Sequence, residues 1–435
     1  MNRTYTPELD PGTLQRLEEF ASLFRDDFNR REQARLVDPY LRGLLMDGER
    51  KSVEPMVERL DGWGCLGLSD PVQAVRHFVG HGHWDHEAIL KRYREVMISR
   101  FGSPKGILVI DDSGNKKQGR HSVGVQRQYC GVLKEVANCQ VAVTTHYVAP
   151  NGHFPLNGRL FLPESWTSDE GRLDEGKVPL KDRKPLTKTE IALGLVDQVL
   201  SEGIPVSLVV FDATYGSAAP FRRGMAARGL PFVAGVKADV GVFTEEPHWD
   251  PPERRPRGKR GPGPTVPYLS ESCRPTSVAQ AAQNLVLKWC VWRQGTKGKL
   301  GGFFARMRVW PARRAELSHG LKDLEGPMWL VVEQRGDERR HYLTTLPENT
   351  SMKRMVRLIK SRWPVEQGYQ QLKEELGFDH FEGRRWAGFH HHMALTFLAF
   401  GFLELERQRL REHQNGSEKK VPGRREKSNC ESPHQ

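Results

Sequence analysis

Short apolar runs that end in aspartate, alternating with helix-forming stretches, predict an α/β fold for this 435-residue chain. Three observations support this. ILVI (107–110) and VSLVVF (206–211) read as buried strands, and they lead into Asp111-Asp112 and Asp212. Residues 123–132 and 138–148 alternate apolar and polar and read as two further, antiparallel strands. Helical spacing follows at 188–202 and near 218–228, with the strand PFVAGVK (231–237) closing the series. The resulting order, β-β-β-α-β-α-β, is that of an RNase H-like sheet with an early hairpin and later crossovers.

The flanking segments fill in the organisation. Residues 1–100 read as a helical domain and a candidate DNA-binding region. Asp10 and Pro11 suit an N-cap and first helical position. Leu14, Leu17, Phe20, Phe24 and Phe28 follow at helical spacing, and a second helix over about 85–100 carries Lys91, Arg92, Arg94 and Arg100. The competing reading is a plain helical domain with a solvated basic face. The first part of the core is 101–236. In the insertion expected at 237–345, DPPERRPRGKRGPGP (250–264) is a basic Pro/Gly-rich loop, and 285–312 and 328–346 read as strands with glycine turns. Helix returns over 346–408 as the second part of the core, and 409–435 reads as a basic disordered tail.

Composition narrows the function. The net charge of +12 and pI near 9.4 point to an anionic partner, most simply nucleic acid. No apolar run approaches the ~20 residues of a membrane span, and the N-terminus lacks a signal-peptide stretch, so a cytoplasmic, nucleoid-associated protein is expected. Cys65, Cys130, Cys139, Cys273, Cys290 and Cys430 form no CxxC pair and read as reduced thiols.

The chemistry lies in the acidic residues. Two strand-end aspartates and a later glutamate, Glu366 in RWPVEQGYQQLKEELGFD (362–379), suit a two-metal phosphodiester site. Mg²⁺, for which Mn²⁺ can substitute, is hard and takes carboxylate oxygens, completing its shell with water and phosphate. Asp112, Asp212 and Glu366 are the expected metal ligands and catalytic residues. Asp112 is preferred because the strand is expected to break at Ser113-Gly114, and Asp111 is the alternative. Strand alternation turns the two to opposite faces, so only one should coordinate. Arg362 and Lys373, four residues before and seven after Glu366, share its face on a continuous helix and suit DNA phosphates, although Pro364 favours a helix start there. Lys116 and Lys117 follow the first aspartates and could steer phosphate toward the metals or equally be the solvated charges of a turn. Trp363 has two readings, stacking on DNA bases or packing in the core, and Tyr369 is a further stacking candidate. Lys353, Arg354, Arg357 and Lys360 have two readings, a phosphate track or a solvated helix face.

These segments resemble the bacterial insertion-sequence DDE transposases of the IS-four superfamily, most closely the IS-seven-hundred-and-one branch. The resemblance covers most of 35–405. It rests on YLRGLL with ERKSVEPM (40–56), IDDSGNKKQGRHSVGVQRQYCG (110–131) with ANCQVAV (137–143), VVFDATYG (209–216) and RWPVEQGYQQLKEELGFDHFEGRRWAGFHHH (362–392). It implies an RNase H-like core, a β-rich insertion before the glutamate, cut-and-paste movement of the element, and the triad Asp112, Asp212 and Glu366. Its partners would be double-stranded DNA, as terminal inverted repeats and target, and a second copy of the chain in the synapse. Arg362, Glu366 and Lys373 match the superfamily's Tyr-Arg-Glu-Lys signature, but Ile359 stands where the tyrosine belongs. The resemblance therefore does not extend to a hairpin-forming cleavage.

Two other clusters carry polar chemistry. His81, His83, Asp85 and His86 match no zinc spacing and read as a polar loop before a helix. His390–His392 suit DNA contact or structural hydrogen bonds; His392 matches a family position. The alternative function is a non-catalytic DNA-binding regulator derived from a transposase. All three acidic residues being present favours the enzyme.

Overall fold

A computed structural model describes residues 10, 12–60, 66–131, 135–251, 268–295, 298–312 and 325–418. The basic loop at 250–264 and the last part of the tail fall almost wholly outside them.

Among the described residues, six α-helices come first: α1 (Gly12–Ser22), α2 (Arg31–Ala34), α3 (Val37–Leu45), α4 (Val53–Arg59), α5 (Pro71–Gly80) and α6 (His86–Phe101). Asp70 and Asp85 cap α5 and α6 through backbone N–H groups of Gln73 and Glu87. Leu17, Phe20, Phe24 and Phe28 are buried as expected, but Leu14 is exposed. The helix stops at Ser22, and Phe24 and Phe28 reach the core from the turn that follows. These helices pack against the last helix, α15 (Trp386–Glu418), where Phe20 meets Phe402 with ring centroids 5.8 Å apart. Helix α15 continues ten residues into the stretch read as a disordered tail. Arg100 pairs with Glu412, and Gln408 bonds Glu412 one turn on, which holds that extension to the body.

The core sheet contains β1 (Ile107–Lys116), β2 (Gln126–Cys130), β3 (Glu135–Ala149), β4 (Gly152–Leu160), β5 (Leu208–Phe211) and β6 (Phe232–Val236). β3 lies between β1 and β4 and is antiparallel to both, while β5 is parallel to β1 and to β6. The lateral order is thus β4-β3-β1-β5-β6. β1 does not break at Ser113-Gly114, as its sequence suggested. It runs on to Lys116 paired with β3, with Gly114 packed closely against Cys130, whose Sγ would lie 2.7 Å from a Cβ there. Between the strands come α7 (Glu164–Thr167), α8 (Glu170–Glu175), α9 (Lys188–Ser201), α10 (Ala213–Gly216) and α11 (Ala219–Ala227). A capping box of Thr187 and Glu190 opens α9.

The segment after β6 contains β7 (Gly241–Phe243), β8 (Trp249–Asp250), β9 (Tyr268–Leu269), β10 (Thr276–Ser277), α12 (Val278–Ala281), β11 (Lys288–Gly295), β12 (Gly298–Pro311), β13 (Met328–Arg335) and β14 (Glu338–Thr344). β14 pairs antiparallel with β6, so most of the inserted strands extend the core sheet into a 12-stranded one. α13 (Met352–Ile359) and α14 (Trp363–Glu374) follow, joined by a 3₁₀ turn at Lys360–Arg362.

Two apolar layers flank the sheet. Ile110, Val209, Phe211, Phe232 and Ala234 pack toward the side of α9 and α11, where Ile191, Val196 and Phe221 meet them. Val109, Leu208, Val210 and Val233 face α13 and α14 through Met355, Val356, Ile359 and Val365. Ile359 is therefore a core residue.

Candidate active site

Sheet register places the acidic residues. Ile110 pairs with Phe211 across the parallel β1–β5 ladder, so Asp111 and Asp212 occupy the next step of the two strands. Alternation then decides their faces. Val109 lies on the α13–α14 side and Ile110 on the α9–α11 side, so Asp111 shares the side of α14, and Asp112 points the other way. Val210 and Phe211 set Asp212 on the same side as Asp111.

The side chains agree. Arg362, at the head of α14, reaches Asp111 Oδ2 with Nη2 at 2.7 Å and Nε at 3.3 Å. The same guanidinium stands 4.0 Å from Glu366 Oε1. Asp111 is buried, and burial pushes its pKa up to about 6 despite Arg362, with Asp212 adding to the rise. Burial works against the charge of Arg362 too, but Asp111 and Asp212 more than offset it and hold its pKa above the ordinary value. Glu366 is half exposed at the edge of the cluster.

Asp212 caps α10: its Oδ1 accepts from the N–H groups of Thr214 and Tyr215 at 2.9 and 3.3 Å. The turn is pressed onto β6, where a Cβ at Gly216 would lie 1.9 Å from the Gly235 carbonyl oxygen. Only glycine permits that approach, which accounts for the glycine in VVFDATYG.

Asp112, expected as the first ligand, is held on the opposite face. Lys188 Nζ lies 2.8 Å from its Oδ2, and the Tyr215 hydroxyl donates to its Oδ1. Burial first, then Asp112, hold the Tyr215 hydroxyl well above its ordinary pKa, so it remains a donor. The placement puts the alternative, Asp111, rather than the preferred Asp112, on the side of Asp212 and Arg362.

The predicted DNA contacts divide. Trp363 is 53% exposed, so its core reading fails. Lys373 does reach toward β1 from the same helix, but it is buried with Nζ 2.7 Å from the Gly114 carbonyl oxygen. It braces α14 against β1 and is not presented to a phosphate. Lys117 donates to the Phe381 carbonyl, and burial lowers its pKa to about 8, whereas Lys116 is exposed. Tyr369 is no stacking platform: its hydroxyl bonds Thr144 and lies 3.4 Å from the Asp111 carbonyl oxygen. Arg362 binds Asp111 as described.

A cleft of about 1170 Å³ opens beside the cluster, lined by Asp212, Arg362, Trp363 and Glu366, the ends of β5 and β6, the β11–β12 hairpin and α13. Arg293, Arg335, Arg339, Arg340, Arg357 and Lys360 line it as well. Of these, sequence reasoning named only Arg357 and Lys360. The others lie on β11, β13 and β14, in segments read as strands without a direction. The adjacent pair Arg339-Arg340 beside a glycine turn was the available signal.

The N-terminal candidates behave differently. Arg94 is buried and bonds Glu202 through two 2.6 Å contacts, Arg92 pairs with Asp27 and Glu95, and Arg100 pairs with Glu412. The basic-face reading of this helix thus fails for Arg94 and weakens for Arg92 and Arg100; Lys91 is exposed. His390, His391 and His392 are buried. His391 Nδ1 and Nε2 lie 2.9 Å from the carbonyl oxygens of Val79 and Trp84, and His392 Nδ1 lies 2.9 Å from the Tyr40 hydroxyl. They are structural, and Trp84 of the HGHWDH segment stacks on His391 at 3.7 Å.

Among the described residues, no three His, Cys, Asp or Glu side chains close into a ready-made metal cage. Asp111, Asp212 and Glu366 instead offer hard oxygen donors around one guanidinium, an open arrangement. Such donors fit Mg²⁺, which takes one or two carboxylates and completes its shell from water and substrate phosphate. Cys130, Cys139, Cys273 and Cys290 are free thiols, and no described helix is long and apolar enough to cross a membrane.

Two aspartates thus stand at the same level of adjacent parallel strands, Asp111 within β1 and Asp212 just past β5, beside a cleft rich in arginine. The chain belongs to the DDE superfamily endonucleases, whose family model matches residues 23–299, a stretch containing Asp111, Asp112 and Asp212. It is also similar to a probable transposase for insertion sequence element IS701 from Microchaete diplosiphon, 32% identical over 174 residues. That match covers 40% of this chain, which spans 41% of the relative's length.

Proposed function

We propose that the protein is a DDE transposase that cleaves DNA at the ends of its insertion sequence and joins those ends to target DNA. The observation behind this reading is the placement of Asp111 and Asp212 on one face of adjacent parallel strands, with Glu366 beside Arg362 at the mouth of an arginine-lined cleft. The strand order β4-β3-β1-β5-β6, three antiparallel members followed by two parallel ones, supports an RNase H-like core. In this reading 101–236 and 346–408 make that core, and 237–345 supplies one wall of the cleft.

Asp111, Asp212 and Glu366 would hold Mg²⁺ or Mn²⁺, which when bound activates the attacking oxygen and neutralises charge at the leaving oxygen. The protein's own groups then have separate tasks. Arg362 neutralises the buried Asp111 carboxylate, and with a metal held there it would be available to pair with a scissile phosphate. The cleft arginines hold the flanking backbone and set the register of the strand. Joining two ends to one target requires two copies of the chain in a synapse.

The test is a plasmid carrying the gene with its flanking DNA, incubated with purified protein and Mg²⁺ or Mn²⁺ beside an Asp212→Ala control. Metal-dependent breaks at two fixed boundaries, absent in the control, are expected. Binding without cleavage, equal in both proteins, would overturn the proposal in favour of a non-catalytic DNA-binding regulator.

A further inference from the structure

Asp112 stands beside a proposed ligand, yet its carboxylate is committed elsewhere. Its Oδ1 receives the Tyr215 hydroxyl and its Oδ2 receives Lys188 Nζ. Tyr215 also donates its backbone N–H to Asp212 Oδ1. One residue is therefore held at both ends: its main chain by Asp212, and its buried ring, through the hydroxyl, by Asp112 on the neighbouring strand. The turn between them has little freedom, because Gly216 is in contact with β6. Lys188, in the first turn of α9, balances the Asp112 charge on the face away from the cleft.

We infer that Asp112 is a positioning residue that sets the orientation of the Asp212 carboxylate through Tyr215. The inference rests on the metal-site reading above and adds a role that the acidic triad does not include. Groups that orient metal ligands typically govern affinity by about 10–100-fold. An asparagine at 112 keeps an oxygen to accept from Tyr215, so it should preserve the effect. An asparagine at a true ligand position cannot replace the lost charge.

The experiment is isothermal titration of the full-length protein with Mn²⁺ alone, with thermal melts to confirm folding. Asp111→Asn should lose binding by more than about 100-fold. Asp112→Asn should stay within about threefold of the wild type, whereas Asp112→Ala and Tyr215→Phe should each weaken binding by about 10-fold or more. The double variant Asp112→Ala/Tyr215→Phe should be no worse than the weaker single variant, since both act through one contact. Loss of binding in Asp112→Asn matching that in Asp111→Asn would make Asp112 a ligand and overturn the inference. So would wild-type affinity in Tyr215→Phe, which keeps the question answerable if Asp112→Ala does not fold. An absence of Mn²⁺ binding by the wild type would instead remove the metal-site reading on which the inference stands.

Discussion

Replacing Asp111 by asparagine should make the metal-free protein more stable. Asp111 is buried, and its pKa is raised from 3.8 to about 6. A carboxyl group whose folded pKa is raised binds its proton more tightly in the native state. Its ionisation therefore costs stability as pH rises from the unfolded value through the folded one, and the cost is fully present above about pH 6. A shift of that size corresponds to about 3 kcal/mol at most. The contact with Arg362 already lies within that balance, and losing it reduces the gain, because Arg362 is left with Asp212 and Glu366. The expected gain for Asp111→Asn at pH 7.5 is ~1–3 kcal/mol, or a melting temperature higher by about 1–3 °C for a chain of this size. The assay is a urea or thermal melt in chelator, repeated from pH 7.5 to pH 4. The gain should shrink on acidification and vanish near pH 4. A variant less stable than the wild type at pH 7.5, or a difference independent of pH, would refute the reasoning. Saturating Mg²⁺ should reverse the order, stabilising the wild type and leaving the variant unchanged.

Three further outcomes follow from the packing. Arg94→Ala, which strands Glu202 at a largely buried site, should cost about 3–5 kcal/mol in urea unfolding; a loss under about 1 kcal/mol would show the pair to be dispensable. Burial lowers the pKa values of His86, His391 and His392 from 6.5 to about 4. Depressed folded pKa values mean stability that is complete above pH 6.5 and falls as pH drops toward 4, by at most about 3 kcal/mol per ring. Trp84 fluorescence should report undocking of the N-terminal helices in that window, and a flat signal from pH 7 to pH 4.5 would contradict it. Arg340→Ala and Arg357→Ala should each lower the salt dependence of DNA binding by about one phosphate contact, while Lys373→Met leaves it unchanged; a reduced slope in Lys373→Met would return that lysine to the DNA surface.

Much of the fold was legible because its signals are local. The apolar runs at 107–110 and 206–211, the alternation at 138–148 and the helical spacing at 188–202 all became the expected elements. β4 was missed because GHFPLNGRL carries Pro155 and two glycines, and its strand conformation comes from pairing with β3. The bulge between Thr145 and His146 accommodates the proline, and Gly158 leaves room for Met393. The candidate site was legible as a set of residue types but not as directions. Alternation requires Asp111 and Asp112 to face apart, yet which face α14 covers depends on a helix some 250 residues later in the sequence. The burial of Lys373 and the exposure of Trp363 were not legible for the same reason. Whether a charged or aromatic side chain on α14 meets solvent or β1 is set by tertiary docking, which helical periodicity does not encode.

The central claim, that Asp111 holds the catalytic metal together with Asp212 and Glu366, is tested most directly by exchanging the metal-binding atom. Asp111→Cys and Asp112→Cys would be assayed for cleavage of DNA carrying the element ends, in Mg²⁺ and then in Mn²⁺ or Cd²⁺, which accept sulfur more readily. The account predicts that Asp111→Cys is inactive in Mg²⁺ and regains cleavage in the softer metals, while Asp112→Cys gains nothing selectively from the exchange. Selective rescue of Asp112→Cys, with Asp111→Cys dead in every metal, would contradict it.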